Sequence, residues 1–315
     1  MKSINFKSLS WGFASLLSGI VLLSSCEGEM EVVQVINEEF SEIESIEIES
    51  GFLDVNYQGD PNATTVTFDA LMESNNPGRF IIEYRVEENK LIIDLDQTGS
   101  NGGGNNRGYL NLTGPEMMAL DVEVGAGETV IKNIQATNFE IITGSGSVDL
   151  ANIAAPAIVL KVGSGSINGS NLVGNLSLEV SSGNTTLTNV TGNINAIGSS
   201  GKLTLTEVDG IVNAKLSSGN MVFDSVRELG QLQISSGNID AVNSGLSRFT
   251  GFTSSSGNVR IQTLSNLTGF NYDLNAGSGK ITVGENVSSG SLKINNGALY
   301  TIIGTVSSGS IVIKN

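Results

Sequence analysis

Residues 181–208 read SSGNTTLTNVTGNINAIGSSGKLTLTEV, and the Ser-Ser-Gly that opens the stretch returns at Ser199-Ser200-Gly201. Between the two, apolar and polar residues alternate in short runs such as Leu203-Thr204-Leu205. Alternation over a few residues, bounded by Gly and Asn, is the mark of a strand with one buried face. A steady repeat of about 18 residues is the mark of a solenoid, in which no unit buries its apolar face alone and each stacks on its neighbours.

Extending the repeat in both directions gives a column of glycines at Gly127, Gly146, Gly165, Gly183, Gly201, Gly219, Gly237, Gly257 and Gly279, with successive intervals of 19, 19, 18, 18, 18, 18, 20 and 22. Positions two and four after most of these glycines are apolar, as in Leu203 and Leu205 or Ile239 and Ala241. The seventh is aliphatic as well, from Ile134 and Ile153 through Val190 and Val208 to Leu264. A second alternating run follows at 11, 13 and 15, as in Val212, Ala214 and Leu216. Each unit therefore holds two short strands, and successive units pair in parallel about 4.8 Å apart, so nine or ten of them make a rod of roughly 45 Å. The expected fold is an all-β, right-handed parallel β-solenoid (β-helix), the usual hand for parallel crossovers. A corner that reverses the chain needs positive φ, which Gly adopts without a Cβ clash. Loss of that freedom at Gly201 alone costs on the order of 1–3 kcal/mol. The offsets do not match a hexapeptide left-handed helix. The Ser-Ser-Gly-Asn corner also lacks the repeated Asp of calcium-binding rolls.

Upstream, residues 39–124 hold strand-like segments without a period and are expected to form an irregular β cap or first coils, followed by the solenoid repeats over 125–315. Charge divides the chain in the same place. Residues 27–128 carry 22 acidic and 4 basic side chains, net −18, whereas residues 129–315 carry 10 of each. A chain of net charge −16 repels phosphate backbones, so no nucleic acid partner is expected. With no His, general acid–base chemistry from imidazole is excluded.

The chain starts with Lys2 and Lys7, an apolar stretch from Leu9 to Leu23, and then Leu23-Ser24-Ser25-Cys26, which contains the single Cys. The apolar stretch is too short for a comfortable membrane span. The motif resembles a bacterial lipoprotein signal. That resemblance implies cleavage after residue 25, with Cys26 as the acylated N-terminus, and a protein held at the cell envelope, outer membrane included, by its acyl chains. Residues 26–38 are expected to be an acidic tether; Glu27-Gly28-Glu29-Met30-Glu31 resembles a surface-export signal.

The mature chain as a whole resembles the bacterial "putative adhesin" family, the head GIN domain and related envelope β-solenoids. The marks are Gly108-Tyr109-Leu110-Asn111-Leu112-Thr113-Gly114-Pro115, then Leu120-Asp121-Val122-Glu123-Val124-Gly125-Ala126-Gly127, then the repeated Ser-Gly corners. The resemblance implies a lipid-anchored surface-interaction protein and carries over no catalytic residue. No cofactor and no metal site are expected, and a host or envelope glycan or protein is the expected partner. The aromatics Phe249, Phe252, Phe270, Tyr272 and Tyr300 gather where the repeat lengthens and are candidates for a ligand face. Glu207, Asp209, Asp224 and Glu228, beside Arg227, form the densest carboxylate group in the repeats. Two other readings stay open: a carbohydrate-active β-helix enzyme built on such carboxylates, and a periplasm-facing structural or stress-linked lipoprotein. The last strand, Ser310 to Asn315, has no obvious cap; blunting of its edge by Lys314 and pairing of two molecules there both stay open.

Overall fold

The computed structural model describes residues 29–99 and 103–315. Its strands, in chain order, are β1 (Glu31–Ser41), β2 (Ser45–Glu49), β3 (Asp54–Asp60), β4 (Thr65–Ser74), β5 (Phe80–Glu87), β6 (Lys90–Gln97), β7 (Asn106–Pro115), β8 (Ala119–Gln135), β9 (Phe139–Thr191), β10 (Ile194–Ser244), β11 (Leu246–Ser256), β12 (Val259–Thr263), β13 (Asn271–Val283), β14 (Asn286–Ile294), β15 (Thr301–Ser308) and β16 (Ile311–Lys314). The fold is a parallel β-solenoid. Strands β9 and β10 run for 53 and 51 residues because pairing continues through the corners. Every rung bends at the same place, so the hydrogen-bond ladder is not interrupted where two separate short strands per unit were expected.

Each rung turns at three places. The first is the expected glycine. Ten glycines stack in one column, and eight of them, including Gly146, Gly201 and Gly309, have φ between 125° and 148°. The second is a left-handed residue with φ of 51° to 58°, as at Asn171 and Glu207. The third is a glycine nine residues past the first, Gly174 (φ 140°) or Gly192 (φ 137°). Between the corners, Leu203 and Leu205 line one inner wall, Val208 a narrow side, and Val212, Ala214 and Leu216 the other wall, all buried. Asparagines beside two of these corners tie rung to rung. The side-chain oxygens of Asn220 and Asn238 accept the backbone N–H of the residue one rung on at 3.1 and 3.0 Å, and Asn193 does so for Ile211 at 2.9 Å. A corner amide that has no partner within its own bend thus finds one on the coil below.

Several interior positions hold a polar residue in an aliphatic column, among them Thr129, Thr143 and Ser254. Thr143 pairs with Val124 and is 2% exposed, yet its hydroxyl has no hydrogen-bond partner. A buried hydroxyl left unpaired costs about 1–3 kcal/mol. Thr143→Val, of nearly the same shape, is therefore expected to stabilise the protein by about 1 kcal/mol in a urea titration. A loss of stability would show that the hydroxyl is satisfied in solution.

The N-terminal end is closed by antiparallel strands. Strands β2 and β3 form a true rung: Ile46 pairs with Leu120, Ile48 with Val122 and Val55 with Thr129. A first coil, β2 with β3, thus lies within residues 39–124, ahead of the regular repeats. On its outer side lie β6, beside β2, and β7, beside β3. Strand β4 then pairs antiparallel with β7, β1 with β4, and β5 with β6. Residues 31–38, expected to be tether, belong to β1: Ile36 on that strand is buried, and its pairing with β4 outweighs the acidic composition. Gln34 closes the cap between β1 and β5. Its amide donates to the Ile82 carbonyl at 2.9 Å and accepts the Ile82 N–H at 2.8 Å, as a neighbouring strand would. The Tyr84 ring packs edge-on against Phe40 and Phe68.

At the other end, space and sequence part company. Strand β15 pairs with β11 on one side and β13 on the other, and β16 lies between β12 and β13 in the same way. The last-written rung is therefore interior. The rung before it, β13, is displaced outward and carries the antiparallel β14 on its far side. This settles the open question of the edge at Ser310 to Asn315, which is covered on both sides by β12 and β13. It also corrects the glycine column, in which Gly279 stacks on Gly309, and Gly309 on Gly257. The crossover that skips a rung departs at Leu264, which is 77% exposed instead of in the aliphatic column; Thr263 is the buried residue there. Asn271 holds the return loop, accepting from the Asn296 and Ala298 N–H groups at 2.9 and 3.2 Å.

Two buried tyrosines sit near the two ends. Tyr57 donates to the Pro115 carbonyl at 2.8 Å and Tyr272 to the Leu267 carbonyl at 3.0 Å. Burial raises both phenols, Tyr272 to about 12. An unfolded tyrosine ionises near pH 10. Above that pH the unfolded chain loses protons that the folded chain keeps, so stability falls as pH rises toward 12. The thermal midpoint is expected to drop through this window, and Tyr57→Phe with Tyr272→Phe to lessen the drop; parallel curves for the two proteins would count against it.

Candidate functional site

The left-handed corner carries the most varied chemistry on the surface. A non-glycine residue at positive φ is best tolerated when it is Asn, and the column runs Asn133, Asn152, Asn171, Asn189, Glu207, Ser225, Asn243. The first four form a ladder: each Nδ2 donates to the Oδ1 one rung back, at 2.8, 2.8 and 2.7 Å. At Glu207 the ladder stops, because a carboxylate has no N–H to donate.

Two shallow depressions lie in line along this corner. One runs over Asn133, Asn152, Asn171 and Val173, the other over Asn189, Glu207, Asp209, Ser225, Arg227 and Asn243. The second contains two of the four carboxylates singled out by sequence, Glu207 and Asp209; Asp224 and Glu228 do not line it. Arg227 Nη1 lies 2.8 Å from Asp209 Oδ1, and its Nε lies 3.8 Å from Glu228. Asp224 accepts from Ser225 Oγ at 2.9 Å and Asn243 Nδ2 at 3.1 Å. Glu207 is exposed and has no hydrogen bond or ion pair among the described residues. Glu207 and Asp209 thus share one side of their turn, as their offsets imply. Both are open to water, where an ion pair such as Arg227–Asp209 contributes about 0–1 kcal/mol. Among the described residues no three Asp, Glu, His or Cys side chains converge as metal ligands do.

The expected aromatic face does not assemble. Phe252 and Tyr272 are buried, 3% and 2% exposed, and Phe270 is half-buried against the core. Phe252 points inward because it is in phase with Leu232 on the previous rung. Its ring fills the space that Gly304 leaves one rung on. The phase is readable in the sequence, since Phe252 and Ser254 alternate as Leu232 and Ile234 do; the absent side chain at Gly304 is not. Phe249 and Tyr300 are each 40% exposed, and the Arg248 guanidinium lies 4.5 Å from the Phe249 ring centre. Cys26 falls outside the described residues.

A second charged face lies near the cap, where Asp121 lines a shallow depression with Glu47 and Lys90. Burial, with Glu140 and Glu47 adding to it, raises the Asp121 carboxyl. Lys90 Nζ contacts Glu47 at 2.6 Å and Lys161 Nζ contacts Glu140 at 2.8 Å.

The stacked-coil architecture agrees with a family model, Toastrack DUF4097, that matches residues 35–314. The chain belongs to the Toastrack DUF4097 family. No curated protein matches this Toastrack chain. Solved structures similar to it include a putative adhesin from Parabacteroides distasonis, 11% identical, with 91% of this chain and 98% of that one covered at a TM-score of 0.41. A putative adhesin from Bacteroides fragilis is 11% identical over 89% of this chain and 97% of that one, TM-score 0.32. A putative lipid binding protein from Parabacteroides distasonis is 15% identical over 90% and 97%, TM-score 0.31. None of them carries an activity across to this Toastrack chain.

Proposed function

We propose that this Toastrack chain is a lipid-anchored rod of the cell envelope that works by surface interaction and not by catalysis. The observation that carries this is the position of β1. It begins at Glu31, five residues after Cys26, so an acylated Cys26 holds the capped end within about 18 Å of the bilayer surface. Two or more acyl chains make such an anchor stable, each buried CH2 contributing about 0.8 kcal/mol. The sides and the far end of the rod then face a partner. The exposed, ion-paired setting of Asp209 and the solvated Glu207 present charge to an incoming partner, which suits recognition.

Metabolic labelling with an alkyne fatty acid tests the anchor: the wild-type chain is expected to take the label and Cys26→Ser to lose it. Protease treatment of intact cells then decides orientation, and protection of the whole rod favours the periplasm-facing alternative. A reducing-sugar assay on envelope and host polysaccharides tests the absence of catalysis. Polymer cleavage that is lost in Glu207→Gln would overturn that part.

A further inference from the structure

The solenoid has three strand edges that pair with nothing further among the described residues, and they are treated differently. Strands β1 and β5 are guarded. The Ile82 backbone on β5 is occupied by the Gln34 side chain of β1. Strand β5 also carries Glu83, Arg85 and Glu87, with Arg85 bridging Glu87 at 2.8 Å and Asp94 at 2.6 Å. Charges and covers of this kind are how proteins keep edges from pairing with other chains. Strand β14, at the opposite end, is guarded less: among the described residues no side chain from another strand hydrogen-bonds its backbone, and its one local cover is the Ser288 hydroxyl, which donates to the Ser291 carbonyl at 2.6 Å and which an incoming strand must displace. Its sequence is NVSSGSLKI, with no Pro and one charge, Lys293, which lies 3.0 Å from Asp273. It is straight from Gly290 to Ile294, where it pairs residue for residue with Tyr272 to Ala276 of β13. Leu292 and Ile294 on it pack against the core but are only partly covered, and Val287, Leu299 and Ile303 near the same end are 54%, 83% and 63% exposed.

We infer that β14 is a self-pairing edge: two copies of this chain join end to end, β14 against β14, antiparallel about a two-fold axis. Charge selects the ends that meet. Two capped ends, each within a region of net −18, repel one another, whereas residues 129–315 sum to zero. A capped end against β14 meets the strands that Gln34 and the β5 charges already block. The chemistry of the occupant is fixed by the edge itself, a row of alternating N–H and C=O groups that another antiparallel strand satisfies. One register pairs all five residues of the straight arm, with the axis on Leu292. It sets Leu292 against Leu292, Gly290 against Ile294, and Ser291 against Lys293 of the second copy. Such a contact is small, and multiplicity strengthens it: many rods on one surface meeting many on another raise the effective concentration. On the anchored reading above, the paired ends point away from the membrane, so the contact joins two opposed surfaces. The pairing itself does not depend on the anchor.

The test therefore uses the unacylated chain from Glu27 onward, which keeps all sixteen strands, attached to beads through an N-terminal tag. Wild-type beads are expected to cluster. Ser291→Lys places like charges opposite each other twice per dimer and weakens association roughly tenfold; Ser291→Glu places opposite charges there and strengthens it by a similar factor. Ser291 is exposed, so both variants keep the wild-type thermal midpoint, which is measured alongside. Dispersed wild-type beads overturn the proposal, as does clustering that ignores the sign of the charge at 291. Failure of the fatty-acid label with clustering intact removes the anchor and leaves the pairing.

Discussion

Replacing Gly201 with alanine is expected to cost more than about 4 kcal/mol, far beyond what backbone strain alone takes. Gly201 has φ 128°, which alanine disfavours. Most of the cost comes from the coil below. A Cβ built on Gly201 lands on the carbonyl oxygen of Gly183, and 2.7 Å from its carbonyl carbon. The obstacle is backbone held in a parallel ladder, so no rotamer change relieves it. The same contact recurs at Gly183 above Gly165 and at Gly219 above Gly201, so a displaced rung displaces both neighbours. In a solenoid each rung is stabilised by the two it touches, and a defect at the middle weakens the coils on both sides. Gly78→Ala provides the comparison. Its φ is 85°, but nothing lies within 4 Å of the added Cβ. It is expected to lose only about 1 kcal/mol. Urea denaturation of the two variants measures the difference, and similar midpoints would mean that strain, and not the stacked carbonyl, fixes glycine at the corner.

Ending the chain at Tyr300 is expected to unfold the whole far end of the rod rather than shorten it by one coil. Strands β15 and β16 supply Ile302, Val306, Ile311 and Ile313, all fully buried. At about 1.5–3 kcal/mol each, these four side chains contribute roughly 6–12 kcal/mol of burial. Their removal also separates β11 and β12 from β13 by two strand spacings, about 10 Å, and no ladder hydrogen bond spans that gap. Phe252 loses the surface over Gly304 on which its ring lies. Hydrogen exchange is expected to show residues 271–294 unprotected in the truncated protein while residues 139–244 keep most of their protection. Persistent protection of Tyr272 and Leu274 would show that β13 can dock directly on β11. A rod wound in sequence order would lose the last rung alone.

The contrast between these two experiments follows what the sequence can and cannot say. Gly201 is legible because its need is local: a corner requires positive φ and no side chain, and both recur at every rung. The burial of Leu205, Val208 and Val212, at 0%, 2% and 0% exposure, is legible for the same reason, through strict alternation. The identity of a rung's neighbour is not local. Gly279 and Gly309 carry the same corner signature, and nothing in either segment states which of them stacks on Gly257. The one hint is the interval between Gly257 and Gly279, the longest in the column, which gives the chain the slack needed to skip a coil. The membership of residues 31–38 in β1 is hidden by charge, since an edge strand with one face in water tolerates Glu31, Glu38 and Glu39 as readily as a tether does. In the groove, the closeness of Glu207, Asp209 and Arg227 follows from their offsets. The ladder of Asn133, Asn152, Asn171 and Asn189 also stands at a constant offset, six residues past each corner glycine. It is harder to see because Asn is common throughout the turns, while the aliphatic columns stand out.

The interleaving of β15 and β16 beneath β13 has a chronological consequence. A polypeptide delivered from its N-terminus produces β13 and β14 before the strands that belong under them exist. Until β15 and β16 arrive, β13 and β14 have no rung to dock on, and the outer amides of β11 and β12 stay open to water. The keystone is thus laid after the stones it supports, and the far end of the rod closes in one step rather than coil by coil.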